Sequence, residues 1–177
     1  MKVIVRRTNS DDLDKIYDLH TKCFHSNDCW YKSAIKNYLD TGIVIENKSD
    51  GKIIGVLLQG GITPCNRESE LFKGNADIFE PVNDFGKTFF NNKEQFNEIQ
   101  GIMMICVDPK YRGKGLAKKL IEIHFKDNTG KLVCLNTRRS NINAYSLYKI
   151  MGYQHIAFIK NKYFLPDEDS IFMVKQV

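Results

Sequence analysis

The sequence contains no apolar run that approaches the ~20 residues a membrane-crossing helix needs. The opening stretch, Met1 to Arg7, has too short an apolar core for a secretory signal. There is no Cys-x-x-Cys pair: Cys23, Cys29, Cys65, Cys106 and Cys134 lie scattered through expected elements. Such an odd, dispersed set suits free thiols in a reducing compartment, so a cytoplasmic location without membrane partners is expected. Internal repeats and low-complexity linkers are also missing, and 177 residues fit one domain spanning 1–177. At 42% hydrophobic and 11% aromatic, the chain is too apolar for a disordered polypeptide and long enough to bury a core. The net charge of +5 is mild, so the placement of the cations matters more than their total.

Hydrophobic patterning predicts a strand over 2–7, then a helix with Ser10 as N-cap and Leu13, Ile16, Tyr17, His20 and Phe24 at helical spacing. A second helix is expected near Trp30. Ile43–Ile45 and Ile53–Leu58 read as a hairpin turning at Asp50-Gly51. Residues 61–98, broken by Pro64, Gly74, Pro81 and Gly86, read as a long connection with one or two short helices. Its Phe85, Phe89, Phe90 and Phe96 suggest an apolar lid, a homodimer contact or a packed surface loop. Ile102–Val107 and Leu132–Leu135 then read as buried strands, each followed by a helix. The second helix carries Ala144, Leu147, Tyr148 and Met151 on one face and stops at Gly152. Two closing strands follow, near 153–159 and 170–177. The expected class is α/β (α+β): a mixed, mostly antiparallel central sheet of six to seven strands flanked by about four helices.

The chemistry concentrates in Ile105-Cys106-Val107-Asp108-Pro109-Lys110-Tyr111-Arg112-Gly113-Lys114-Gly115-Leu116-Ala117. A buried strand feeds a two-glycine loop that opens a helix. Free N–H groups at a helix start, aligned with its dipole, bind anions. Gly113 and Gly115 let backbone approach a ligand, and Lys110, Arg112, Lys114, Lys118 and Lys119 surround the turn with positive charge. That set suits a pyrophosphate. The loop lacks the third glycine of a dinucleotide fingerprint and the Gly-Lys-Ser/Thr of a nucleoside-triphosphate loop. The plain alternative is a glycine turn that only joins strand to helix.

Val107-x-Pro109 followed by Arg112-x-x-Gly115-x-Ala117 resembles the coenzyme A loop of the GCN5-related N-acetyltransferases (GNAT). Asn141-x-x-Ala144-x-x-Leu147-Tyr148-x-x-x-Gly152-Tyr153 is similar to their downstream helix. The resemblance implies acetyl-coenzyme A as cofactor and a primary amine as acceptor, acylated by direct attack in a ternary complex. It implies backbone of Ile105 and Val107 along the pantetheine arm, N–H groups of Arg112, Gly113, Lys114, Gly115, Leu116 and Ala117 on the pyrophosphate, and Asn141 as a further contact. It makes Tyr148 the general acid for the leaving thiolate, against the alternative of core packing. Backbone N–H groups near Cys106 and Val107 would stabilise the developing oxyanion.

Asn161-Lys162-Tyr163-Phe164 resembles the substrate hairpin of protein N-terminal acetyltransferases within the family, with Tyr163 at one of two tyrosine positions and Phe164 departing at the other. The acceptor is accordingly a small amine or a peptide N-terminus. No strong general base is apparent; Glu98 and Asn136 are the nearest polar groups. Cys106 as an acyl-carrying nucleophile is set against a buried strand thiol, and the latter is preferred. His20, Cys23, His25 and Cys29 do not have the spacing of a structural zinc site, so no metal is expected. A nucleic-acid module built on the basic loop, extended by Arg138 and Arg139, is the rival class. The phosphates of coenzyme A account for those charges, so no nucleic-acid partner is expected. A catalytically silent acyl-coenzyme A binder is the third reading.

Overall fold

The computed structural model describes residues 1–24, 28–62, 79–91, 99–163 and 166–177. Eight strands and five α-helices occur among them. The backbone clusters into two compact units, Met1–Gly60 with Ile102–Asp127, and Gly61–Gly101 with Asn128–Val177.

In the first unit, β1 (Val3–Arg7) pairs antiparallel with β2 (Ile43–Asn47), and β2 with β3 (Ile53–Ile62). The expected hairpin turns through Gly51, whose φ of +67° needs glycine. Strand β5 (Ile99–Val107) follows β3 in the strand order. Helices α1 (Leu13–Cys23) and α2 (Lys32–Lys36) contribute Ile16, Leu19 and Ile35 to a core with Val44, Val56, Leu58, Met104 and Cys106. A 3-10 turn, Ser10–Asp12, leads into α1, and its N-cap is Asn9 rather than the expected Ser10. The Asn9 side chain accepts from the Asp11 N–H at 2.9 Å, and Asp12 accepts from the Asn9 N–H at 2.9 Å, a reciprocal box that Ser10 sits inside. Asp12 is buried and takes two further bonds from Arg6, at 2.6 and 2.8 Å, while Arg6 also reaches Glu46 at 3.0 Å. Helix α4 (Leu116–Asp127) buries Leu116, Leu120, Ile121 and His124.

In the second unit the strand order is β6 (Leu132–Arg138), β8 (Glu168–Gln176), β7 (Gln154–Tyr163) and β4 (Phe79–Pro81), with all three pairs antiparallel. Strand β4 and helix α3 (Asp84–Asn91) occupy the described part of the long connection. β4 raises the strand count above the expected six to seven. Three residues ending in Pro81 carry no legible alternation, and proline in a strand belongs at an edge. Phe89 is 1% exposed, and Phe79, Phe89 and Phe90 all approach the Phe172 ring, with centroids 6.3, 6.0 and 6.1 Å away. Phe89 and Phe90 therefore pack with Phe79 and Phe172; Phe85 is exposed and Phe96 lies outside the described residues. Helix α5 (Ile142–Ile150) ends at Gly152, φ +86°. No helix among the described residues is long and apolar enough to cross a membrane.

Candidate active site

The loop is set by the end of β5. The Asp108 N–H donates to the Ile54 carbonyl at 2.9 Å, holding the strand end to β3. The Asp108 carboxylate accepts from the Lys110 N–H at 2.9 Å and starts a tight turn over Pro109–Tyr111, with proline at its first position. Arg112 folds back, its Nε donating to the Val107 carbonyl at 3.2 Å and its backbone N–H meeting the Pro109 carbonyl at 3.4 Å. Gly113 and Gly115 follow at φ +72° and +73°, the left-handed region closed to most side chains. A Cβ at either would meet nothing within 4 Å, so the front of the loop is open. Buried Leu116 and Leu120 pin α4 behind it, leaving the first-turn N–H groups to point at the opening. Lys114 lies over the Tyr111 ring at 5.3 Å, and Lys118 pairs with Glu122 at 3.8 Å.

On β5 itself Cys106 and Val107 are buried and Ile105 half-buried. Cys23, the last residue of α1, donates its thiol to the Val107 carbonyl at 3.4 Å. A hydrogen bond with Cys106, helped by Arg112 and opposed by burial, brings the Cys23 thiol down to about 7. The same bond, reinforced by burial, holds Cys106 well above the ordinary thiol range. A thiol so held is a poor nucleophile. Nearby, His20 accepts from the Trp30 N–H at 2.8 Å and Cys29 bonds the Phe24 carbonyl at 3.8 Å, so the residues weighed for zinc point to separate partners; His25 lies outside the described residues.

In the second unit Tyr148 is buried on α5 and meets the Tyr153 ring edge-on at 5.9 Å. Burial pushes its phenol up, with Tyr163 adding to the effect, so it keeps its proton across the physiological range. Asn141 caps α5 by accepting from the Ala144 N–H at 3.2 Å. Two residues of β8 hold the ends of this helix. Glu168 accepts from the Ser140 N–H, from the Ser140 hydroxyl at 3.0 Å and from Arg138 at 3.1 Å. Burial pushes the Glu168 carboxyl up, but these donors outweigh it and hold it below its usual range. At the other end Lys175 donates to the Met151 carbonyl at 2.7 Å.

Tyr163 donates its hydroxyl to Asn136 at 3.2 Å, and the Arg138 guanidinium stacks on the Tyr163 ring at 4.3 Å. Asn136, one of the two polar groups singled out in the sequence, thus holds a tyrosine. Glu98 and Phe164 lie outside the described residues. The expected residues thus form a continuous group from Ile105 to Ala117 in one unit. In the other, Asn141 and Tyr148 share α5, and Tyr163 sits with Asn136. Sequence reasoning did not find Cys23, Arg138 or Glu168 beside these groups. Only Glu168, just beyond the hairpin motif, had a positional hint.

The acetyltransferase (GNAT) family model matches residues 13–153. No curated protein is a significant sequence match. Among solved structures, Arabidopsis thaliana NAA60 in complex with acetyl-CoA superposes with a TM-score of 0.75 at 20% identity, covering 99% of this chain and 100% of that one. The Escherichia coli ribosomal-protein-S18-alanine N-acetyltransferase gives 0.68 at 18% identity, covering 98% and 92%. Mosquito arylalkylamine N-acetyltransferase like 5b gives 0.71 at 17% identity, covering 99% and 100%. At these identities the neighbours establish the fold, and the family match spans most of the sequence: the chain belongs to the acetyltransferase (GNAT) family.

Proposed function

We propose that the chain transfers an acetyl group from acetyl-coenzyme A to a primary amine by direct attack in a ternary complex. The observation that carries this is the pair of left-handed glycines, Gly113 and Gly115, opening α4 behind a front that a Cβ would otherwise occupy. Exposed Arg112, Lys114, Lys118 and Lys119 give that opening the charge a pyrophosphate needs. The Arg112 N–H already faces Pro109, so the anion-binding donors are those from Gly113 to Ala117. Backbone of Ile105 and Val107 would pair with the pantetheine arm. The Asn141 oxygen caps its own helix, which leaves its amide N–H groups to offer a ligand. Bound acetyl-coenzyme A supplies the acetyl group as an activated thioester.

Tyr148 is the residue we assign to the proton. Its desolvated phenol stays protonated and can donate to a departing thiolate. Tyr163, fixed by Asn136 and Arg138, is the assigned contact for the acceptor. An acceptor α-amine, with an ordinary pKa of about 7.7–8.0, is partly neutral near pH 7 and needs no strong base; a lysine amine, near 10.4, does. The likeness of Asn161-Lys162-Tyr163 to the substrate hairpin of protein N-terminal acetyltransferases favours a peptide N-terminus, an amine of the weakly basic kind.

Calorimetric titration of acetyl-coenzyme A into the wild type and Arg112→Glu tests the reading. Binding by the wild type, weakened by roughly 100-fold when a carboxylate faces the pyrophosphate, is expected. Failure of the wild type to bind would overturn it. An acceptor screen then compares peptide N-termini, polyamines and lysine side chains; transfer to the latter two but not to peptides would exclude the N-terminal preference.

A further inference from the structure

In the second unit the start of β8 lies between the ends of β6 and β7: Glu168 pairs in register with Tyr163, and Ser170 with Arg138. The Glu168 and Arg138 side chains are each 16% exposed, so their ion pair is only weakly screened by solvent. One carboxylate oxygen of Glu168 accepts from the Ser140 N–H. The other accepts from the Ser140 hydroxyl at 3.0 Å and from Arg138 at 3.1 Å. All three partners are donors, so both oxygens are engaged as acceptors. The guanidinium held in this way also donates to the Pro166 carbonyl at 3.3 Å and lies on the Tyr163 ring, 4.3 Å from its centroid. The Tyr163 hydroxyl gives its single proton to Asn136 at 3.2 Å, so it meets an incoming amine only as an acceptor, and the tilt of the ring decides where that oxygen stands. Ser140 directly precedes Asn141, the cap of α5, and α5 carries Tyr148.

We propose that Glu168 is a positioning residue shared by both sides of the transfer: through Arg138 it sets the Tyr163 oxygen that receives the acceptor, and through Ser140 it sets the helix that carries the proton donor Tyr148. The roles of the two tyrosines rest on the transfer reading above; the clamp that joins them does not. A carboxylate suits this position because donors face both of its oxygens. Glutamine has the same shape but offers one acceptor oxygen and turns an NH2 towards the remaining donor, so one of the two grips must open. Arginine is equally particular at 138. Lysine would keep the charge but not the flat face that lies on the tyrosine ring.

The test is steady-state kinetics of the full chain with acetyl-coenzyme A and a peptide bearing a free α-amine, or spermidine if peptides are not acetylated. Arg138→Met and Arg138→Lys should each raise the acceptor KM roughly tenfold, the scale of one charge-assisted hydrogen bond, with kcat and acetyl-coenzyme A affinity within about twofold of wild type. Loss of folded protein would instead lower kcat and leave KM alone, so the split separates positioning from stability. Glu168→Gln should raise KM by the same factor and lower kcat several-fold as well, and adding Arg138→Met to it should raise KM no further. Ser140→Ala, which removes the hydroxyl bond alone, is the second variant if Glu168→Gln folds poorly, and should lower kcat without moving KM. An unchanged KM in Arg138→Met, or a normal KM in Arg138→Lys, would overturn the acceptor arm. A normal kcat in Glu168→Gln would overturn the helix arm, and KM effects that multiply in the double variant would show Arg138 acting without Glu168. If the wild type acetylates no amine, the transfer reading fails by itself. Hydrogen exchange over residues 138–148, expected to quicken in Glu168→Gln, then decides the clamp, and an unchanged rate there would refute it.

Discussion

Replacing Gly115 by alanine separates backbone cost from ligand cost, because Gly51 provides a matched control. Both glycines have positive φ, +73° and +67°, and a Cβ at either meets nothing within 4 Å. Alanine in that conformation costs ~1–2 kcal/mol and nothing further in packing. In a chain of this length each kcal/mol lowers Tm by about 2–4 °C, so both variants should melt ~2–8 °C below the wild type. Ligand binding should then part them. The methyl at 115 stands on the open front of the loop and pushes a bound phosphate outward, lengthening every N–H contact made there. A loss of at least about tenfold in affinity, ~1.4 kcal/mol, is expected for Gly115→Ala and none for Gly51→Ala. Differential scanning fluorimetry gives the first quantity and calorimetry with acetyl-coenzyme A the second. Equal affinities for the two variants, alongside equal melting shifts, would refute the idea that the anion sits against this glycine.

Tyr148→Phe should lower kcat by roughly 100-fold with acetyl-coenzyme A affinity unchanged, since only a proton donor is removed; steady-state kinetics showing normal turnover would assign the ring to packing alone. The His124 imidazole, bonded to Gln59 and pushed down to about 4 by burial, stays neutral in the fold while the unfolded chain protonates near 6.5. Its contribution is thus complete above about pH 6.5, declines as pH falls towards 4, and amounts to a loss of about 2 kcal/mol at pH 5. His124→Gln should flatten the fall in Tm between pH 7 and pH 5, and an unaltered acid slope would contradict this. Arg6→Met strands the buried Asp12 carboxylate and should cost about 3 kcal/mol in urea unfolding; Arg6→Met with Asp12→Asn should recover part of it, and a double variant no better than the single would deny the pairing.

The loop was legible in the sequence because everything that shapes it is local: Asp108, Pro109, Arg112 and the two glycines lie within eight residues and act on one another. The α5 stripe was legible for the same reason. The Asn9 cap was misread because Ser10 is an equally good capping type and only the reciprocal bond from Asp12 separates them. Strand β4 escaped because it exists only through pairing with β7, where Phe79 faces Ile159. The Tyr163–Asn136 bond depends on sheet register, and the Cys23–Val107 bond joins residues 84 positions apart, so neither leaves a local trace. What the sequence pattern conveyed was the shape of the two-glycine loop; the partners around Tyr163 and Cys106 arise from long-range packing.

Strand β8 carries supports for both ends of α5: Glu168 takes the Ser140 end and Lys175 the Met151 end. The helix is therefore seated like a beam on two bearings set in one foundation, and Tyr148 lies within its span. Removing either bearing leaves a beam free to swing about the other; removing both lets it slide along its axis. Two charged residues outside the proposed chemistry thus hold the helix that carries the Tyr148 hydroxyl, and in the reaction proposed above any drift in its aim would register as lost turnover well before the fold itself gave way.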